Sequence, residues 1–350
     1  MKAAFSSGIV RLHECRAGVL CIRPTSVGRA SALLAALVLA PLVLGSAGCS
    51  NDRPPPVKVV APPERAPSPP PEPAKPAQAA TPYRAKLPSR GAELYLPTWF
   101  APHPGGYDLI VHFHGLGKLQ EGNLDRSQLN AAVVTVNLGV STDLYGNAFR
   151  DPASFPKLLA EAQDEIERSG RAPGAKMNRI ALSAWSAGFV SVAKIMSQPA
   201  NAEKIDSVIV ADGFFTSLTN IKKRTVNQSS LERFATLAQA ATKEEKLFAI
   251  SHSSIPTVDY ASTEETAAKL LEMTASTKTP SSNVGPRNMH ETYVVDRGAF
   301  HVKGYEGVTA GDHIKQITGL GETLYPYLRA RWEPQESGAV AARAGAPAPR

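Results

Sequence analysis

The chain has 350 residues, of which 43% are hydrophobic and 20% charged, enough apolar content for one large buried domain and too much for a disordered chain, a collagen or a coiled-coil rod. Its formal charge of +7, from 38 Lys and Arg against 31 Asp and Glu, is concentrated at the start, where residues 1–48 hold Lys2, Arg11, Arg16, Arg23 and Arg29 against Glu14 alone. The remainder is close to balanced and offers no electrostatic ground for nucleic-acid binding, and the 3 cysteines (Cys15, Cys21, Cys49) all precede the body, which excludes a disulfide framework or a cysteine metal site there.

Residues 1–48 read as an export signal. Ala30 to Gly48 is a short apolar run behind a basic stretch, broken by Pro41 and closing in small residues. A membrane span is the competing reading, but it needs roughly 20 uninterrupted apolar residues. The segment Ser46-Ala47-Gly48-Cys49 resembles the bacterial lipobox, and the resemblance implies cleavage before Cys49 and a diacylglycerol on its sulfur. Ser46 stands where that motif usually has Leu, with Leu44 two residues earlier; simple secretion and an uncleaved anchor are the alternatives. The basic region is long for a signal, which leaves room for a translation start downstream, for instance at Val27. Of the 29 prolines, 12 lie between Pro54 and Pro82, so residues 49–90 are expected to be an extended, polyproline-like tether for a membrane-anchored domain. The domain itself is expected over 91–332, followed by an Ala/Gly/Pro-rich disordered tail over 333–350. There is no internal repeat.

Within 91–332, strands and helices alternate. Strands are expected at Tyr107–His114, Ala131–Leu138, Asn178–Ala184, Ile205–Ala211, Lys246–Ser251 and Glu291–Asp296, the last clear one. Between them, Pro152–Ser169 has helical periodicity (Phe155, Leu158, Leu159, Ala162, Ile166) with Gly170 beyond its end, Ala187–Gln198 forms a second helix, Thr263–Thr274 is a helix capped by Ser262, and His313–Trp332 closes the domain. Apolar runs of this kind between amphipathic helices imply a mostly parallel sheet covered on both faces, and such sheets carry their sites at the carboxyl ends of the strands.

The first candidate lies at one of those ends. Ala184-Trp185-Ser186-Ala187-Gly188 matches the G-x-S-x-G nucleophile elbow with Ala at the first glycine position. The turn needs small residues because helix must pass close to strand. It would expose the Ser186 hydroxyl and leave the Ala187 N–H free to hold a developing oxyanion. A helix-capping serine is the plainer alternative. The second motif, His112-Phe113-His114-Gly115-Leu116-Gly117, ends an earlier strand. Packing at a strand end, or zinc binding by two histidines at i, i+2, are its other readings, though no third ligand is evident nearby.

With these two motifs in this order, the chain resembles the α/β-hydrolase superfamily of serine hydrolases over roughly Tyr95 to Trp332. The resemblance implies a single catalytic domain in which Leu116, or its neighbour Gly115, gives a second oxyanion N–H and His114 braces the loop. It implies a base before the final helix, met by His313 in Gly311-Asp312-His313 ahead of His301, with His290 poorly placed. The acid usually follows the strand before the last, but Ser251-His252-Ser253-Ser254 holds no carboxylate. Asp212, directly at the end of the preceding strand, is therefore preferred to Asp259; either could be an ordinary turn residue, Asp-Gly being common in turns.

The activity so implied is hydrolysis of a carboxylic ester or related acyl bond by a Ser186-His313-Asp212 triad, on a small-molecule or polymer substrate, without metal or cofactor. A non-catalytic binding lipoprotein on the same fold, and an extracellular peptidase or polyester depolymerase, are the rivals. The polar, basic segment between Asp212 and Lys246 is the longest candidate cap and points to a small or polar substrate. Nothing in the chain indicates an oligomeric state.

Overall fold

A computed structural model describes residues 81–333. The expected export signal, Cys49, most of the expected tether and residues 334–350 lie outside the described residues. In chain order the strands are β1 (Tyr83–Lys86), β2 (Glu93–Leu96), β3 (Tyr107–Phe113), β4 (Ala132–Val136), β5 (Met177–Trp185), β6 (Ser207–Ala211), β7 (Thr216–Asn220), β8 (Thr225–Val226), β9 (Leu247–His252), β10 (Tyr260–Ala261), β11 (Thr279–Pro280), β12 (Val284–Gly285), β13 (Met289–Arg297) and β14 (Phe300–Tyr305). The helices are α1 (Gly117–Ser127), α2 (Thr142–Ala148), α3 (Ser154–Arg168), α4 (Phe189–Met196), α5 (Pro199–Ala202), α6 (Glu232–Thr242), α7 (Thr263–Met273), α8 (Ala310–Thr318), α9 (Leu320–Thr323) and α10 (Tyr325–Trp332).

The main sheet runs β1-β2-β4-β3-β5-β6-β9-β14-β13-β11. The six strands from β4 to β14 are mutually parallel, and the flanking pairs at both edges are antiparallel. Side chains alternate between two cores, as the pleat requires. Leu109, Val111 and Phe113 of β3 and Leu182 and Ala184 of β5 join one core with residues of α2, α3, α4, α6 and α7. Ile110, Ala181, Ile209 and Ala249 join the other with α1, α9 and α10. Covering both faces is what lets the central strands be apolar almost throughout. The fold is thus the expected one, a mostly parallel sheet between two helical layers in one domain.

Most elements fall where the sequence pattern puts them. The buried face of α3 consists of the five residues that carry its periodicity, and Ser262 caps α7 in a capping box with Glu265. Three expectations need correction. The domain boundary at 91 is too late, because β1 already pairs with β2 through Tyr83↔Leu96 to Lys86↔Glu93. An edge strand tolerates the prolines that flank it, Pro82 and Pro88, so the proline-rich composition hides it. Glu291–Asp296 is not the last strand: a turn at Gly298 leads into β14, which pairs in parallel with β9. The closing helix is three short ones, interrupted around Gly319 and again before Pro326, whose ring cannot continue a helix.

Asp206 fastens α10 to the sheet. Its carboxylate, just ahead of β6, accepts hydrogen bonds from Arg331 Nη2 at 2.8 Å, Trp332 Nε1 at 2.8 Å and Ser207 Oγ at 2.6 Å. Burial pushes this carboxyl up, but the hydrogen bonds and the Arg331 charge outweigh it and hold it below its ordinary value. A depressed folded-state pKa means stability that is present above the ordinary value of 3.8 and lost as pH falls through the lower folded value. Asp206→Asn should therefore cost about 1–2 kcal/mol at neutral pH, and the Tm gap to wild type should close as the pH is lowered. A gap that stayed constant with pH would assign the anchoring to packing alone.

Candidate active site

Three adjacent parallel strands end in the same unusual way. His114 after β3, Ser186 after β5 and Asp212 after β6 have φ of 75°, 51° and 42°, a left-handed conformation that costs a non-glycine residue about 1–3 kcal/mol. The ladders set the ends side by side. Phe113 pairs with Ala184 and Trp185 with Ala211, so the residues just beyond the sheet are brought together.

Ser186 opens a single 3-10 turn, Ser186–Gly188, and α4 begins at Phe189 rather than at Ala187. The two glycines here are required by space. A Cβ on Gly188 would lie 2.1 Å from the Phe113 carbonyl oxygen, and one on Gly213 would lie 2.7 Å from both the backbone N and O of Ser186. Asp212-Gly213 is therefore a close approach to the Ser186 backbone, a tighter demand than a turn dipeptide makes.

His313 lies in the first turn of α8, not before it, because the helix starts at Ala310 under a capping box between Thr309 and Asp312. Asp312 accordingly serves the cap; hydrogen bonds from Thr309, then the Lys315 ammonium, pull its carboxyl down to about 2. His313 Nδ1–H donates to Asp212 Oδ2 at 2.8 Å, which leaves Nε2 as the basic atom. Ser186, Ala187, Asp212 and His313 all line one cavity of about 760 Å³.

Trp185, the variable residue of the elbow, went unremarked in the sequence. Its indole N–H donates to the His313 carbonyl at 3.0 Å. Its ring lies 4.6 Å from that of His313 and stacks on His114 at 4.7 Å and 8°. His114 Nδ1 is hydrogen-bonded to Tyr145 Oη at 2.9 Å, and burial, with His313 nearby as a smaller cause, pulls its pKa below the usual imidazole value. His112 is fully buried between Ser183 Oγ at 2.8 Å and the His114 carbonyl at 2.8 Å, and burial lowers its pKa to about 3. The i, i+2 zinc geometry does not form, since His114 has already left the strand conformation. Among the described residues no group of three or more His, Cys, Asp and Glu converges to hold a metal ion.

The remaining candidates lie apart. His301 pairs with Asp296 Oδ1 at 2.7 Å and stacks on Tyr327 at 3.8 Å, near the amino-terminal end of β14. Asp259 is exposed in the loop before β10. Leu116 immediately precedes α1, is 63% exposed and is not among the residues that line the cavity, where Val140 of the loop after β4 and Thr142 at the start of α2 stand instead. Gly115 is required, because with φ of 107° a Cβ there would meet Ile317 Cδ1 at 2.4 Å. The segment between Asp212 and Lys246 forms α6 and the strands β7 and β8, which β10 joins in a small sheet of order β10-β7-β8.

No protein-family model matches the chain, and no curated protein matches it. Among solved structures it is similar to a feruloyl esterase module from Clostridium thermocellum (12% identity, TM-score 0.38, covering 71% of this chain and 86% of that one). It is also similar to an acetyl xylan esterase from Aspergillus awamori (14%, TM-score 0.39, 68% and 99%) and an esterase from Pyrobaculum calidifontis (14%, TM-score 0.36, 70% and 84%). Likenesses this distant assign no residue a role.

Gly188→Ala should lower stability by about 1–3 kcal/mol or more, because backbone oxygen cannot move aside as a side chain can. Gly311→Ala, whose Cβ would meet only Thr309 Oγ1 at 3.5 Å, should be neutral or slightly stabilising as a helix Gly→Ala change. Urea midpoints of the two variants check this; equal midpoints would show that the elbow relaxes to admit a side chain.

Proposed function

We propose that the protein is a serine hydrolase acting on uncharged carboxylic esters, with Ser186 as nucleophile, His313 as base and Asp212 as the acid that orients it. The reading is carried by one observation: the 2.8 Å bond from His313 to Asp212 lies in the wall of the cavity that Ser186 also lines. A capping serine would require neither the His–Asp pair nor a left-handed backbone at its own position.

The steps follow from these groups. His313 Nε2 takes the Ser186 hydroxyl proton as Oγ attacks the ester carbonyl. The N–H of Ala187, which lines the cavity, holds the oxyanion. Collapse breaks the C–O bond, the leaving alcohol takes its proton from His313, and water then releases the acyl group by the same route. Asp212 orients the imidazole and stabilises its charged form. Support for an uncharged substrate comes from the lining, in which Asp212 is joined by no Lys, Arg or Glu, while Phe215, Ile255 and Tyr260 alternate with threonine and serine hydroxyls.

Ser186→Ala should abolish labelling by a fluorophosphonate probe and hydrolysis of p-nitrophenyl acetate. Asp212→Asn and His313→Ala should each lower kcat about a thousandfold or more, while Asp259→Asn and His301→Ala leave it near wild type. Full esterase activity in Ser186→Ala would sink the proposal.

We further propose that the mature chain begins at a lipidated Cys49 and is held on the periplasmic or outer side of a membrane, on the strength of its lipobox-like segment and proline-rich spacer. A clickable fatty-acid analogue should label the wild type and not Cys49→Ser; equal labelling would refute this.

A further inference from the structure

The acid stands on β6, yet the tip of β9 supplies its hydrogen bonds. Ser253 donates its backbone N–H to Asp212 Oδ1 at 3.0 Å and its hydroxyl to Asp212 Oδ2 at 2.7 Å. The second of these oxygens is the one that receives His313 Nδ1–H. Ser253 is 2% exposed, so water does not compete for these bonds. The same strand tip holds the Asp212 backbone, whose N–H donates to the Ser251 carbonyl at 2.8 Å.

Two donors on two oxygens define the plane of a carboxylate. With the histidine bond alone, an aspartate is free to turn about its broad terminal torsion. Behind Ser253 the polar run continues. His252 Nδ1 lies 2.9 Å from the Ser253 carbonyl and Nε2 lies 2.6 Å from Tyr293 Oη. A carbonyl only accepts, so Nδ1 carries the proton, Nε2 accepts from the tyrosine hydroxyl, and the tautomer is fixed. His252 and Tyr293 are both buried. From Tyr293 on β13 through His252 to Ser253, every donor points towards Asp212.

We propose that Ser253 is a positioning residue for the acid, locking the Asp212 carboxylate in the orientation that receives the His313 N–H, with His252 and Tyr293 holding Ser253 in place. The role rests on the triad reading above. It also accounts for a strand tip that holds hydroxyls and a buried imidazole where a carboxylate was sought: β9 orients the charge that β6 carries.

The test uses the full chain and p-nitrophenyl acetate. Ser253→Ala should lower kcat about 10- to 100-fold, the loss expected for a hydrogen bond to a charged group, with KM changed less than about threefold. Ser253→Thr, which keeps the hydroxyl, should recover kcat to within about fivefold of wild type, and Tyr293→Phe should cost only about two- to fivefold. If Ser253→Ala does not fold, Ser253→Cys carries the test with the same expected loss, its thiol being a weak donor of similar size. Wild-type kcat in the Ala or Cys variant, a loss expressed in KM, or a loss that Thr does not recover would overturn the proposal. An inactive Ser186→Ala beside a fully active Ser253→Ala would reject the positioning role alone, whereas an active Ser186→Ala would reject the triad itself.

Discussion

Everything at the carboxyl edge depends on three neighbouring strands leaving the sheet through left-handed residues that are not glycine. His114, Ser186 and Asp212 each accept a conformation that costs about 1–3 kcal/mol, and each is held there by something that cannot yield. His114 is clamped by the Trp185 ring and Tyr145. Ser186 is enclosed by chain that approaches so closely at Gly188 and Gly213 that neither position has room for a Cβ. Asp212 is tied through both carboxylate oxygens. The strain is sustained because β3, β6 and the central part of β5 are buried and in register, so that relaxing any one end would disturb a ladder packed on both faces.

That geometry also sets the electrostatics. His112, His114 and His252 are each pushed towards the neutral form by burial. They serve as hydrogen-bonded supports and do not compete for the charge of Asp212. His313 is partly exposed at the cavity and bonded to that carboxylate. Asp212 and His313 are joined in the cavity wall by no Lys, Arg or Glu.

The outer wall of the cavity is built from distant stretches of chain. Ser217 and Thr216 on β7 pair with Tyr260 and Ala261 on β10 in antiparallel register, and Phe215 meets Tyr260 edge to face at 5.6 Å. Arg224 fastens this flap, donating to the Tyr260 carbonyl at 3.0 Å and to Glu265 on α7. The basic character of the segment after Asp212 is thus spent on the fastening and on solvent-facing Lys222 and Lys223. The surface turned to the cavity is aromatic and hydroxyl-bearing.

Local pattern alone determined the parallel sheet, the positions of most strands and of α3 and α7, and the elbow at Ser186, because burial periodicity, capping and the need for small residues act between neighbours in sequence. The order of Asp212 before Asp259 and of His313 before His301 came from the resemblance to serine hydrolases, which says where an acid and a histidine stand along the chain. Local pattern did not show β1, which its prolines disguise, or β14, which follows a tight turn and pairs with a strand far back in the chain. Trp185, Ser253, His252 and Tyr293 were equally invisible, since nothing in their immediate sequence distinguishes them. Trp185 meets His313, Ser253 meets Asp212, and His252 and Tyr293 stand behind Ser253 only once β5, β6, β9, β14 and β13 have been assembled into one sheet, and that assembly sets the hydrogen bonds on Asp212 and His313.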